Sequence, residues 1–260
     1  MLTLNEISYG TGGSQLLSQV TAAFSAGQVT GIIGPNGAGK STLLRIAAGL
    51  LPPGTGQISC MGERLASMTL GQRARHLAYM PQDTPVLPPM PVREVVSLGR
   101  LPYGESPAEA LEHPSVTQAV HQVGLAGLAH RPANQLSGGE RARLMLARAL
   151  AMQTPILLAD EPVAALDPAH ALAVMQVFAV LAASGRCVVV VLHDLLLATR
   201  FCDTLILMKD GHILHMLEPA CLTDAIVRQT YGVTSRRVDG GLVPWDLCAT
   251  TPPPPPFFPD

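Results

Sequence analysis

The stretch "GPNGAGKST", Gly34 to Thr42, decides the fold. Gly34, Gly39, Lys40 and Ser41 satisfy the spacing GxxxxGK[ST]. The apolar run "VTGII" (Val29–Ile33) precedes it and the helical pattern "STLLRIAAGL" follows. A strand that passes through glycines into a helix start can aim several backbone N–H groups at one phosphate. The glycines let the chain curl, and the helix start adds positive potential. Lys40 is then placed to reach β- and γ-phosphates, and the Ser41 hydroxyl to ligate Mg²⁺.

Working outward, three segments end in polar residues where strands should end. "LLADEP" places Asp160 to hold Mg²⁺ and Glu161 to orient an attacking water. Taken alone, such an acidic pair is more often a solvated turn; the phosphate loop reverses that preference. "CVVVVLHD" (Cys187–Asp194) ends at His193, and "YMPQD" carries Gln82, an amide that can ligate Mg²⁺ or hold water. Either would be unconvincing by itself. Tyr9, at the end of the first strand, offers a ring for stacking on a nucleobase, against the plainer reading of a turn tyrosine.

Continuous apolar runs alternating with helical patterns indicate an α/β fold with a mainly parallel sheet, its ligands at the carboxyl ends of the strands. "MLTLNEISY", "GQISCMG" and "LILMKDGHILHM", the last with the hairpin signal "KDG", are expected to form an antiparallel sheet lying against the parallel one. Residues 85–135 change character. A proline-rich opening leads to "SVTQAVHQVGLAGLAH", where Val116, Val120 and Val123 form a stripe at helical spacing. A helical lobe of about 85–150 is expected as an insertion in one domain of residues 1–245. The tail 246–260, with "TTPPPPPFFPD", reads as polyproline-like or disordered, with a proline-motif ligand as a lesser alternative.

The charge balance is 17 basic against 19 acidic residues, net −2. That balance gives no support for a nucleic-acid partner. The five cysteines are scattered with no CxxC pair, as expected of small buried side chains in a reducing compartment. The N-terminus lacks the pattern of a secretory signal. The strongest apolar runs fall far short of the roughly 18–20 residues a membrane span needs.

"LSGGE" (Leu136–Glu140) is a second anion-friendly feature. The plain account is a capping box, Ser137 as N-cap and Glu140 three residues on. Ala142, Met145, Leu146, Ala149 and Leu150 make the apolar stripe of the helix that follows. The glycines remain unexplained, since Gly138 and Gly139 in a first helical turn cost roughly 1 kcal/mol each against Ala. Such a cost makes sense where something must approach the backbone closely, and a γ-phosphate suits free N–H groups.

Phosphate loop, glutamine loop, "LSGGE", "LLADEP", "AALD" and "LHD", in this order and over roughly Leu2 to Tyr231, resemble the ATP-binding-cassette (ABC) ATPases. The resemblance implies a P-loop NTPase core with an N-terminal antiparallel β subdomain and an inserted helical subdomain. It makes Tyr9 the adenine-stacking residue and Gly34, Pro35, Asn36, Gly37, Ala38, Gly39, Lys40, Ser41 and Thr42 the phosphate loop. Ser137, Gly138 and Gly139 would bind the γ-phosphate of ATP held by a second copy of the chain, with Asp167 at the seam. Glu161, His193 and Gln82 become the catalytic set, and Ser41, Gln82 and Asp160 the Mg²⁺ ligands. Glu140, where glutamine is commoner, and Ala164–Ala165, in place of a small polar pair, are mild departures.

"LAYMPQ" followed by "PVREVVSLGRLPY" is similar to the ATPase subunits of bacterial importers for iron–siderophore, haem and cobalamin. Implied partners are transmembrane permease subunits and, indirectly, a substrate-binding protein, with the chain peripheral on the cytoplasmic face of the inner or plasma membrane. A soluble ABC ATPase would usually carry a coiled-coil insertion or two cassettes. Another phosphate-loop protein would leave "LSGG" and "LHD" idle.

Overall fold

The computed structural model describes residues 1–82 and 89–248. The opening of the expected helical lobe and the tail from residue 249 lie outside the described residues.

The chain begins with an antiparallel unit. β1 (Leu2–Thr11) pairs with β2 (Ser14–Phe24) and β4 (Thr55–Cys60), and β4 with the two-residue β5 (Glu63–Arg64), in the order β2-β1-β4-β5. The central sheet has six strands. β3 (Val29–Ile33), β6 (Leu77–Met80), β7 (Ile156–Asp160), β8 (Cys187–Val191) and β9 (Thr204–Lys209) run parallel, and β10 (His212–Leu217) is antiparallel at one edge. The order is β10-β9-β3-β8-β7-β6.

The hairpin "LILMKDGHILHM" therefore does not belong to the antiparallel sheet, as the sequence had led us to expect. It extends the parallel one, because Leu205 to Met208 are buried on both faces and β9 pairs in parallel with β3, Gly31 opposite Leu205. The turn itself is as expected, with left-handed Asp210 and Gly211 (φ 49° and 77°).

The central strands feed two separate cores. On β8, Val188 and Val190 enter one, while Cys187, Val189 and Val191 enter the other. On β7, Leu157 and Ala159 separate in the same way from Ile156 and Leu158. Burial on both faces is what makes these strands continuous apolar runs. The first core lies under α7 (Pro168–Ala183), α8 (Leu195–Phe201) and the helical lobe; the second lies under α1 (Lys40–Ala47) and the antiparallel unit. A short α2 (Leu70–His76), capped by Thr69, leads into β6.

The lobe comprises α3 (Val92–Ser97), α4 (Pro107–Glu112), α5 (Pro114–Gln122) and α6 (Gly138–Ala151). Val116, Val120 and Val123 are buried, as their spacing predicts. On α6 the buried surface is wider than the expected stripe. Leu144, Ala147 and Ala151 join it, whereas Ala142 is only half-buried. Two arginines lock the helix in place. Arg100 Nη1 donates to the Ala151 carbonyl at 3.2 Å, and Arg143 Nη1 to the Val123 carbonyl at 3.1 Å.

The described chain closes with α9 (Asp224–Tyr231) and a hairpin, β11 (Val233–Val238) with β12 (Gly241–Leu247). β12 runs two residues past the expected domain limit at 245. No helix among the described residues is long and apolar enough to cross a membrane.

Candidate functional site

Gly34 to Gly39 bridge β3 and α1, beside β9 and β2. A Cβ on Gly34 would lie 2.1 Å from the Met208 carbonyl oxygen of β9, and one on Gly39 would lie 2.8 Å from that of Leu16. At Gly37 (φ 79°) nothing lies within 4 Å. Two of the loop's glycines are thus required by neighbouring strands, and the third opens onto the site. Gly39, the N-cap of α1, brings no side-chain cap, so the first-turn N–H groups are left for an outside acceptor. Lys40 is 5% exposed, and its Nζ donates to the carbonyls of Gly34 (2.8 Å) and Pro35 (2.9 Å). Burial lowers the lysine's pKa, while the charges of Glu161 and Asp160 act against that.

The neighbouring parallel strands bring in the acidic pair. Asp160, at the end of β7, is fully buried. It accepts a hydrogen bond from Ser41 Oγ at 2.9 Å and another from the Tyr79 hydroxyl at 3.3 Å. Burial pushes its carboxyl pKa up, and the Ser41 hydroxyl pulls it back. Glu161 has a left-handed backbone, φ 50°, a sparsely populated state for a residue with a side chain. Gln82 Nε2 donates to its Oε2 at 2.8 Å, and His193 Nε2 lies 2.5 Å from its Oε1.

Asn36 to Thr42, Gln82, Glu161 and His193 line one cavity of about 420 Å³. Leu16 and Tyr79 were missed by sequence reasoning. Leu16 forms a wall of the cavity, and Tyr79 reaches Asp160 from β6. Tyr9 does not line this cavity. It is half-buried on β1, opposite Leu17 and packed on the second core.

Ser137, Gly138, Gly139 and Asp167 do not line that cavity either; they form a patch of their own. Ser137 caps α6, its Oγ accepting from the Glu140 amide at 3.3 Å, and Glu140 Oε2 accepts from the Ser137 amide at 2.7 Å. That second bond holds the Glu140 carboxyl below its usual range. The box satisfies the amides of Ser137 and Glu140 but not those of the glycines between them. Around Gly138 nothing lies within 4 Å. A Cβ on Gly139 would lie 3.4 Å from the Ala165 carbonyl oxygen, so this second glycine stands against the turn that leads to Asp167. Asp167 caps α7, accepting from the His170 amide at 3.0 Å, which holds its carboxyl low.

A strand–glycine loop–helix cradle, with a buried carboxylate at the end of a nearby parallel strand, defines a P-loop NTPase. The particular family follows from comparison: the ABC transporter family profile matches residues 17–164, and the chain belongs to that family. The hemin import ATP-binding protein HmuV of Pseudomonas putida is 37% identical over 239 residues, covering 90% of this chain and 93% of its own. The cobalamin import ATP-binding protein BtuD of Halobacterium salinarum is 41% identical over 202 residues. That match covers 77% of this chain, which spans only about half (51%) of the relative's length. Among solved structures, a dimeric ATP-binding cassette in a post-hydrolysis state with ADP and Pi aligns at TM-score 0.77 and 29% identity, over 85% of this chain and all of that one.

Proposed function

We propose that this chain is the ATP-hydrolysing subunit of a bacterial ABC importer and that two copies enclose two ATP molecules head to tail. The observation that carries this reading is the separation of the two anion-binding features. The cavity at Lys40 is lined by Leu16 of β2, by the loop and start of α1 and by residues that follow β6, β7 and β8 of one chain, whereas Gly138 faces open space outside it. In this reading each chain supplies the phosphate loop of one site and Ser137–Gly139 of the other.

Glu161 is the general base. Gln82 and His193 hold its two carboxylate oxygens, so the carboxylate is oriented before a water arrives. Lys40 swings from its own loop's carbonyls to the β- and γ-phosphates. Ser41, Asp160 and Gln82 fit Mg²⁺. A buried carboxylate whose hydrogen bonds come from hydroxyls is a hard oxygen donor, and this cation is commonly held by one or two carboxylates together with substrate phosphates. Bound there, Mg²⁺ would neutralise charge on the phosphate oxygens. Tyr9 stacks on adenine, and Asp167 lies at the seam.

Loss of the γ-phosphate removes what both copies share, and the pair reopens. The Gln82 loop and helical lobe transmit this motion to permease subunits, which in turn receive cargo from a substrate-binding protein. The chain sits peripherally on the cytoplasmic face of the membrane. Relatives named for hemin and cobalamin import support a metal chelate as cargo, iron–siderophore or haem, with cobalamin as the further candidate.

Mixing two inactive variants tests the arrangement. Lys40→Ala and Ser137→Arg chains should each be inactive alone and recover hydrolysis when mixed, because the heterodimer holds one intact composite site. No recovery, with heterodimers present, would show that each chain serves its own nucleotide. Co-purification of the permease and binding protein identifies the cargo.

A further inference from the structure

The proline-rich tail is a motif of the sequence that the reading above leaves without a task. Two cavities bear on it. The first, of about 440 Å³, lies between α7 and α8, and Leu166, Leu172 and Leu197 line it together with Glu161 and His193. The second, of about 600 Å³, lies between α8 and the β11–β12 hairpin, with Val238 and Val243 in its lining. Both are bordered by Leu196 and Arg200 of α8, so they form one cleft that runs from Glu161 to the hairpin.

The cleft is mostly apolar, and its cation is uncommitted. Asp194 caps α8, accepting from the amides of Leu196 (2.8 Å) and Leu197 (3.0 Å), and Glu161 is held by Gln82 and His193. Arg200 is exposed and makes no ion pair with any described residue. Its guanidinium stands 5.5 Å from the ring centre of Phe201, its neighbour in sequence. Asp239, the remaining charged residue of the lining, belongs to the hairpin turn.

The hairpin continues the cleft as an open face. Alternation along β12 sends Leu242 inward and puts Val243, Trp245 and Leu247 on the opposite side. Trp245 is 52% exposed and Leu247 55%, and the Arg236 guanidinium of β11 stacks 3.9 Å over the indole. The hairpin is fastened near both ends of β12. The Leu242 amide donates to Thr199 Oγ1 at 3.1 Å, and the Cys248 amide to the Gly232 carbonyl at 2.9 Å. A stripe of exposed apolar side chains on a fixed sheet marks a contact surface.

We propose that residues 249–260 of the same chain cover this surface: prolines 252–256 lie along Val243, Trp245 and Leu247, the rings of Phe257 and Phe258 enter the cleft beside Leu196, and the Asp260 side chain pairs with Arg200. Chemistry and reach both fit. Proline-rich segments dock on exposed aromatic rings in the extended polyproline form. At about 3.1 Å per residue the chain from Cys248 to Phe257 spans about 28 Å, more than the roughly 20 Å back from Leu247 to Gly241. The tether holds the tail at an effective concentration on the order of millimolar, so weak contacts suffice. Glu161, Leu166 and Pro168 border the same cleft, so the docked tail competes with closure of the proposed dimer. That consequence rests on the reading of the site as an ATP sandwich; the docking does not.

Trp245 is the chain's single tryptophan, so its fluorescence reports the contact. In the full chain without nucleotide, acrylamide should quench it weakly, and in a chain shortened to Cys248 strongly. Phe257→Ser together with Phe258→Ser should lower the ratio of docked to open tails by about tenfold or more. Arg200→Glu and Asp260→Lys should each lower it about 2–5-fold, and the two combined should restore it. Equal quenching of the full and shortened chains would overturn the docking. Protection that grows with protein concentration would place the tail on a second copy and overturn it too. Protection untouched by the serine substitutions would leave the prolines on Trp245 and the cleft empty, against the proposal. At subsaturating ATP the serine variant should hydrolyse about 2–10-fold faster than wild type, the closed pair no longer competing with a docked tail. Equal rates with a released tail would overturn that competition. A wild-type chain that hydrolysed no ATP would remove the dimer reading and leave the fluorescence result standing.

Discussion

The two anion-binding regions of this chain are built on opposite principles. At the phosphate loop Lys40 and Asp160 are buried, and the decisive groups are already paired within the chain: Lys40 with its loop's carbonyls, Ser41 with Asp160, and Glu161 with the more exposed Gln82 and His193. At Ser137–Gly139 and Asp167 the groups are mostly exposed, and every pairing shown is local helix capping. A buried polar network must be complete to be stable, so one chain can specify it alone. An exposed helix start can wait, since water satisfies its N–H groups until an outside acceptor, here the proposed partner's phosphate, takes over. The difference teaches that folding and assembly are encoded in separate places. The first region is specified within the chain itself, and in the proposed dimer the second acquires its ligand only from another molecule.

The largest test of this contrast is Glu161→Gln. Turnover should fall about 10²–10⁴-fold, as expected for the loss of a positioned base. ATP binding should persist, and size analysis with ATP should show a trapped dimer; monomer alone would break the comparison.

Next come two glycines. Gly34→Ala should destabilise the fold by about 1–3 kcal/mol, because the new methyl meets the Met208 carbonyl. Gly138→Ala should leave stability unchanged or raise it by up to about 1 kcal/mol, the helical preference for Ala, yet reduce turnover. Denaturant midpoints and steady-state rates on the same samples check both, and equal destabilisation by the two would erase the distinction.

The smallest effect concerns Asp160. Its folded pKa is raised by burial, so ionisation disfavours the folded state. The protein without Mg²⁺ loses stability as pH rises from the unfolded carboxyl value of about 3.9 through the folded one. Asp160→Asn should raise the melting midpoint at neutral pH without Mg²⁺ by about 1–4 °C. That gain should shrink as pH falls toward the unfolded value, and a gain independent of pH would point away from charge burial.

Much of the first region was legible because each motif is local and sits at a strand end. Gly34–Thr42, Asp160, Glu161 and His193 each follow an apolar run, and parallel pairing aligns those ends, Asp160 opposite Val191. What could not be read came from contacts between distant segments. Tyr79 reaches Asp160 only because β6 lies beside β7, and Leu16 enters the wall because β2 passes Gly39. The demand on Gly34 is set by β9, whose own place was misjudged because a hairpin turn says nothing about which sheet its first strand joins. The β11–β12 hairpin was overlooked although Asp239 and Gly240, both left-handed, mark its turn.

An ammonium resting on the carbonyls of its own loop is a counter-charge that the protein keeps at hand. A triphosphate taking its proposed place there would exchange two neutral carbonyl partners of that ammonium for anionic ones, and on its departure the same two oxygens would receive the charge again.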